Sequence, residues 1–238
     1  MKVARYQRLG DFSYALGATV AMEFLINEPG SVVHVFFHPD FRSDHKGQIE
    51  DLCTKNAISI ETDAKPFNIL SQKENCFVIA VLKKRQDRIA EGNHMVLVNP
   101  SNCGNIGTIM RSCAGFGVTD IAIITPAADH YDPKTVRASM GALARVKVEV
   151  FNKFEDYQKK FPDNNYYPFM LDGSVLLQKT QIKQPFSLIM GNEATGLPEE
   201  FSNIGQPVRI EHTNAIDSLN LPIAASIGLY EATKNNYC

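Results

Sequence analysis

Apolar residues along the 238-residue chain follow two rhythms. Short runs rich in β-branched residues recur as 31-SVVHVFF-37, 57-AISIE-61, 76-CFVIAVL-82, 95-MVLV-98, 120-DIAIIT-125, 146-VKVEV-150, 168-PFML-171, 186-FSLIM-190 and 207-PVRI-210. Most stop at or near Gly, Pro, Asn or Asp, which predicts strands. Between them, 13-SYALGATVAMEFLI-26, 45-HKGQIEDLCTKN-56, 134-KTVRASMGALAR-145 and 221-LPIAASIGLYEATKN-235 carry apolar residues at helical spacing. A helical turn is expected over 66–72, a helix running to about Cys113, and a polar helix around 153–161. Short strands separated by helices predict an α/β fold, a mostly parallel sheet with helices on both faces. In such sheets ligands bind at loops beyond the carboxyl ends of the strands.

The polar stretch 83-KKRQDRIAEGN-93 lacks apolar periodicity and divides the chain. The expected domains are 1–88, a small α/β unit, and 89–238, a larger and more regular one. With 44% hydrophobic and 21% charged residues the composition suits a core-forming soluble protein. No apolar run reaches the about 18 residues that a membrane helix needs, and no secretory leader is read at the N-terminus. The five cysteines form no CxxC pair, and the six histidines form no HExxH. Neither a metal site nor a disulfide framework is expected; reduced thiols in a cytoplasmic protein fit this usage. The formal net charge of −2 means that any nucleic-acid footprint must be local. Lys83, Lys84, Arg85 and Arg88 form the densest basic cluster, which suits either a solvated linker or a phosphate-contacting patch.

Three loops fall at expected strand ends. The first, 99-NPSNCGNIGTIMR-111, places Asn105 as a helix cap, with Gly104 and Gly107 permitting close backbone approach. Arg111 stands off the buried stripe, and its guanidinium can lean back toward Asn105 over roughly 9 Å of rise. An asparagine and an arginine converging at a helix start suit phosphate; the pattern equally suits a capped helix with a solvent-facing arginine. The second loop, 191-GNEATGLPEE-200, has glycines at both ends and Glu193 between them. It reads either as a backbone bent around a ligand or as a plain strand-to-helix turn. In the third, Asp217, Ser218 and Asn220 crowd the start of the last helix, more polar residues than one cap requires.

In this order the loops resemble the SpoU/TrmH type of RNA ribose 2′-O-methyltransferase, a branch of the SPOUT class. The family's first motif is matched by Asn105, Gly107 and Arg111. Its Gly-x-Glu-x-x-Gly-Leu is matched by Gly191, Glu193, Gly196 and Leu197, and its Ser-Leu-Asn by Ser218, Leu219 and Asn220. The segment 138-ASMGAL-143 looks like the family's connecting helix. The N-terminal part looks, more loosely, like the small RNA substrate-binding domain that often precedes this catalytic domain. The resemblance implies a C-terminal trefoil knot, bound S-adenosylmethionine, and a homodimer. It also implies cofactor contacts from Gly191, Asn192, Ile210 and Leu219, with Asn105, Arg111, Glu193, Ser218 and Asn220 as catalytic residues. One departure stands out: where the family commonly has Ile-Pro-Met, this chain has Ile210-Glu211-His212.

Methyl transfer to a ribose hydroxyl is mostly a problem of alignment. Arginine is a poor base because it stays protonated in water. Arg111 is therefore expected to clamp an RNA phosphate and stabilise the developing alkoxide, with the proton acceptor left open. The Lys83–Arg88 cluster is expected to contact RNA, in tRNA or ribosomal RNA. A catalytically inactive RNA-binding homologue is the alternative that the altered third motif raises. A dinucleotide-dependent enzyme is disfavoured, because GxGxxG with a downstream acid is missing.

Overall fold

Gly17, at φ +111°, splits what periodicity joins over 13–26. Before it lies strand β1 (Phe12–Leu16) and after it helix α1 (Ala18–Asn27). Three successive residues of β1 are buried, so the strand shows none of the alternation that would betray it. The computed structural model describes residues 3–71, 75–171, 175–213 and 215–237. Gln72, at the end of one expected helical turn, and the thiol of Cys238 lie outside them.

The first stretch continues through β2 (Val32–Phe37), α2 (His45–Lys55), β3 (Ser59–Thr62), α3 (Lys65–Leu70) and β4 (Val78–Lys83). The four strands form one sheet in the order β1-β4-β2-β3. β4 runs antiparallel to both β1 and β2, and β2 runs parallel to β3. Tyr14, Phe36, Phe67, Ile79 and Val81 pack together as its apolar core.

The chain then forms β5 (His94–Val98), α4 (Cys103–Gly115) and β6 (Asp120–Ile124). Residues Asp129–Arg145, expected from the sequence to belong with the larger domain, cluster instead with Met1–Arg85 as one compact unit. This segment carries α5 (Pro133–Ala138), whose Thr135 and Val136 are fully buried. The Ser13 hydroxyl donates to the Tyr131 carbonyl, and the Tyr6 hydroxyl to the Asp129 carboxylate. At Gly141, φ +89°, a Cβ would fall 2.3 Å from that of Glu23, so only glycine fits.

The second unit, Gln86–Ala128 with Val146–Cys238, resumes at β7 (Lys147–Phe151) and α6 (Phe154–Lys160). Then come β8 (Asn165–Pro168), the two-residue β9 (Val175–Leu176), β10 (Phe186–Met190), β11 (Val208–Arg209) and α7 (Leu221–Thr233). Five strands pair in the order β7-β6-β5-β10-β8, and every pairing is parallel. β8 starts three residues before the expected 168–171 run; beyond it Phe169 bridges to Val208. Val96, Val98, Ala122, Ile124 and Ile189 meet Phe154, Tyr157 and Phe161 on one face. The alternate residues Met95, Leu97, Ile121 and Ile123 are equally buried, so both faces of the sheet are covered. Among the described residues no helix is long and apolar enough to cross a membrane. Cys53, Cys76, Cys103 and Cys113 are free thiols.

At the amino ends of β5 and β10, the described polar side chains form a directional chain. His94 Nε2 lies 2.7 Å from the Ala90 carbonyl, which can only accept, so the ring hydrogen sits there. Nδ1 then accepts from the Tyr157 hydroxyl at 2.8 Å. Tyr157 in turn accepts from Ser187 at 2.6 Å, and Ser187 from the Asn164 amide at 2.9 Å. The scheme needs a neutral imidazole, and burial holds the His94 pKa below 6.5. An unfolded histidine binds a proton near pH 6.5, so this stability is present above that pH and lost as pH falls below it. Urea unfolding should show stability declining below about pH 6.5. Ser187→Ala should cost about 1 kcal/mol at neutral pH, because the buried Tyr157 hydroxyl and Asn164 amide each lose one hydrogen bond while keeping those to His94 and the Gly92 carbonyl.

Candidate active site

Helix α4 starts from Asn102, whose Oδ1 accepts from the Gly104 and Asn105 backbone amides at 2.8 and 3.2 Å. The cap is therefore Asn102 rather than Asn105, the residue expected from the sequence. Freed of that duty, Asn105 turns its side chain outward, and Nδ2 donates to Glu193 Oε1 at 3.1 Å. Glu193 also accepts from the Asn102 amide at 3.1 Å, the Ser101 amide at 3.0 Å and the Ser101 hydroxyl at 2.8 Å. Four donors thus converge on one carboxylate. Burial alone would raise its pKa, but the hydrogen bonds outweigh it and hold the group below the usual range.

The loop that carries Glu193 is shaped by its neighbours. Asn192 Oδ1 accepts from the Ala194 and Thr195 amides, and its Nδ2 donates to the Asn99 carbonyl at 2.8 Å. Asn192 and Gly196 also exchange both backbone hydrogen bonds. A Cβ on Gly191 would lie 2.2 Å from the Gly196 carbonyl carbon, so the loop closes only around glycine. Gly196 itself sits at φ +68°.

This loop forms one wall of a cleft of about 360 Å³. Phe169, Met170, Leu171 and Met190 supply apolar surface. The segment from Val208 to Leu219 supplies Ile210, Asp217, Ser218 and Leu219, with Arg209 and His212 beside them. Gly191, Asn192, Glu193, Ile210, Ser218 and Leu219 are therefore brought together. Asp217 and His212, both noted in the sequence, join them, as do Arg209 and Thr195, which no sequence motif marks.

Asn105, Arg111 and Asn220 do not line the cleft. Asn105 touches it through Glu193. Arg111 is exposed on α4 and makes no hydrogen bond or ion pair to another described residue. Asn220 occupies the cap position of α7, where its carbonyl accepts from the Ile223 and Ala224 amides. Its side chain makes no cap bond, which leaves the amide for a ligand. The helices carrying Arg111 and Asn220 pack together through a Ser112–Ser226 hydroxyl pair at 2.7 Å. Glu211 turns aside, its carboxylate accepting from Gln178 at 2.7 Å.

The basic cluster is largely engaged within its own units. Lys84 donates to the Gln7 and Arg8 carbonyls and lies over the Tyr6 ring. Arg85 pairs with Glu28 and donates to the Leu143 carbonyl at 2.9 Å. In the second unit, Arg88 pairs with the buried Glu149 at 2.8 Å, alongside Lys160. Lys83 is exposed. Three of the four residues expected to contact RNA thus have partners within the chain, although the Arg88 side chain remains 83% exposed.

The sequence profile of the SpoU rRNA Methylase family matches residues 92–230. A Listeria innocua protein, provisionally named a tRNA (cytidine(34)-2′-O)-methyltransferase, is 30% identical over 148 residues, 60% of this chain and 87% of that protein. A 23S rRNA (uridine(2479)-2′-O)-methyltransferase of Streptomyces viridochromogenes is 32% identical over 144 residues, 57% of this chain and 50% of its own length. The structure of an AdoMet-bound rRNA methyltransferase from Sinorhizobium meliloti shares the fold. It superimposes with a TM-score of 0.79 at 24% identity, covering 94% of this chain and 88% of the other. The profile runs from the start of β5 through the Glu193 loop into α7, more than half of the sequence, and the chain belongs to the SpoU rRNA Methylase family.

Proposed function

We propose that this protein is an S-adenosylmethionine-dependent methyltransferase acting on a ribose 2′-hydroxyl in tRNA or ribosomal RNA. The observation that carries the reading is the cleft in which Gly191, Ile210, Ser218 and Leu219 meet, buttressed by the Glu193 clamp on Asn105. Its size falls at the lower end of the range for small-ligand sites, and apolar walls beside polar groups suit a nucleoside bearing an amino-acid tail. The cofactor, when bound, supplies an electrophilic methyl group on a sulfonium. The chain's own residues do the positioning. Backbone groups of Gly191, Ile210 and Leu219 hold the adenosine portion, and Asn192 fixes the loop. Asn105 gives one amide hydrogen to Glu193, which turns its nitrogen toward that carboxylate and leaves its oxygen to accept from the ribose. Arg111, without a described partner, clamps the phosphate beside the target and stabilises the alkoxide. Ser218 and Asn220 shape the other side of the pocket.

A homodimer is part of this reading. The α4–α7 face supports it, since Ile223 and Tyr230 remain 52% and 54% exposed there. So are a knotted C-terminal path, a cytoplasmic location, and RNA contact by the 1–88 domain, with Lys83 and Arg88 among its exposed cations. The inactive homologue gains no support from the altered third motif, because Glu211 is turned to Gln178.

Incubation with methyl-labelled S-adenosylmethionine and RNA from cells lacking the gene should place label in a 2′-O-methylnucleoside. Label in a base, or none despite cofactor binding, would count against the assignment. Arg111→Lys loses the bidentate fork. It should lower kcat by about 100-fold or more, as loss of a transition-state contact does, while cofactor affinity by calorimetry stays near wild type.

A further inference from the structure

His212 stands where the family resemblance expects methionine, and it lines the cleft beside Ser218 and Leu219. It is partly buried, with Nδ1 3.1 Å from the Thr213 carbonyl oxygen. A carbonyl only accepts, so Nδ1 carries the hydrogen and Nε2 is the ring nitrogen without one in the neutral form.

The charges around it come from three segments. Arg209 and Glu211 share its own segment, Asp217 precedes α7, and Glu193 follows β10. Glu193 is held by four donors, and Glu211 accepts from Gln178 and faces an adjoining cavity that His212, Arg209 and Asp217 also line. The residues after β8 that reach the cleft are Phe169, Met170 and Leu171, and α7 contributes Leu221 and Ala224, all uncharged. Asp172 lies outside the described residues. Arginine and aspartate as side-chain types do not change charge across the neutral range, so these two residues form a constant background. Histidine is the side-chain type that ordinarily changes charge between pH 5 and 8, and the cleft holds one.

We propose that His212 is a specificity-determining residue of the cofactor cleft: protonated, it selects against the positively charged methyl donor and in favour of the neutral demethylated product. The inference rests on the cofactor reading above. S-adenosylmethionine carries a sulfonium charge, and S-adenosylhomocysteine carries an uncharged thioether in its place. The two share their amino and carboxylate groups, so the titration of those groups cancels in the ratio of affinities. A second cation in so small a cleft repels the sulfonium alone. At separations of several ångströms and an intermediate dielectric, the ratio should change about three- to thirtyfold. Acidification would then retain product and slow turnover without loss of fold.

The test is calorimetric titration of the full chain with both ligands near pH 8 and near pH 5.5, with circular dichroism to confirm folding. The expected result is a ratio of donor to product affinity that falls by at least about threefold on acidification. In His212→Gln, which cannot ionise, the ratio should be independent of pH. In His212→Lys it should be low at both pH values. A pH-independent ratio in the wild type, or an unchanged fall in His212→Gln, overturns the proposal and leaves the cofactor reading intact. Failure of both ligands to bind at either pH would remove the cofactor reading and this inference with it.

Discussion

One carboxylate ties the site together. The Glu193 side chain reaches two backbone amides, a hydroxyl and an amide group, joining the loop after β10 to the loop after β5. Parallel neighbouring strands bring those two loops to the same edge of the sheet, which is why such a bond can form. The clamp also settles what Asn105 can do, because it fixes which end of that amide is free. A charged acceptor bound by several donors in a partly buried setting is stronger than neutral bonds of the same geometry. Loosening it would separate the walls of the cleft before touching any residue that meets a ligand.

The parallel sheet and most of its elements could be read from the chain because both of its faces are buried. Strands such as Met95–Val98 and Phe186–Met190 are then continuous apolar runs, helices α2 and α4 keep their periodicity, and α7 is long and apolar on most sides. Errors arose where burial hid the pattern. β1 looks helical because Ser13, Tyr14 and Ala15 are all buried, and only Gly17 marks the break. Within the candidate site, the glycines at both ends of the Glu193 loop could be read as marking a tight bend or a plain turn, and the close approach of Gly191 to Gly196 shows the bend. Asn102 could not be separated from Asn105 as the cap, since both are asparagines one turn apart. The Glu193 partners were invisible, because Ser101 lies 92 positions away and no local rule reaches that far.

The basic cluster shows the same limit from another side. Charge density in a sequence reports how many cations lie close together, but not what they face. Arg88 and Lys160 converge on Glu149, a carboxylate only 3% exposed, which would be expensive to leave unpaired. Burial opposes ionisation there, and the two cations with the Ile89 amide overcome it, so Glu149 titrates below its usual range. A patch that looks like an electrostatic footprint is in this case also partly internal bracing.

The excursion of Asp129–Arg145 into the first unit makes that unit discontinuous in sequence. On a ribosome, β1 to β4 emerge complete, yet Ser13 and Tyr6 must wait for Tyr131 and Asp129, more than a hundred residues later. Until then the surface that Thr135 and Val136 will cover stays open. Synthesis at about 5–20 residues per second makes that wait several seconds. A fragment ending at Arg85 would keep this half-finished surface indefinitely, so the smaller unit is not a module that one cut can release.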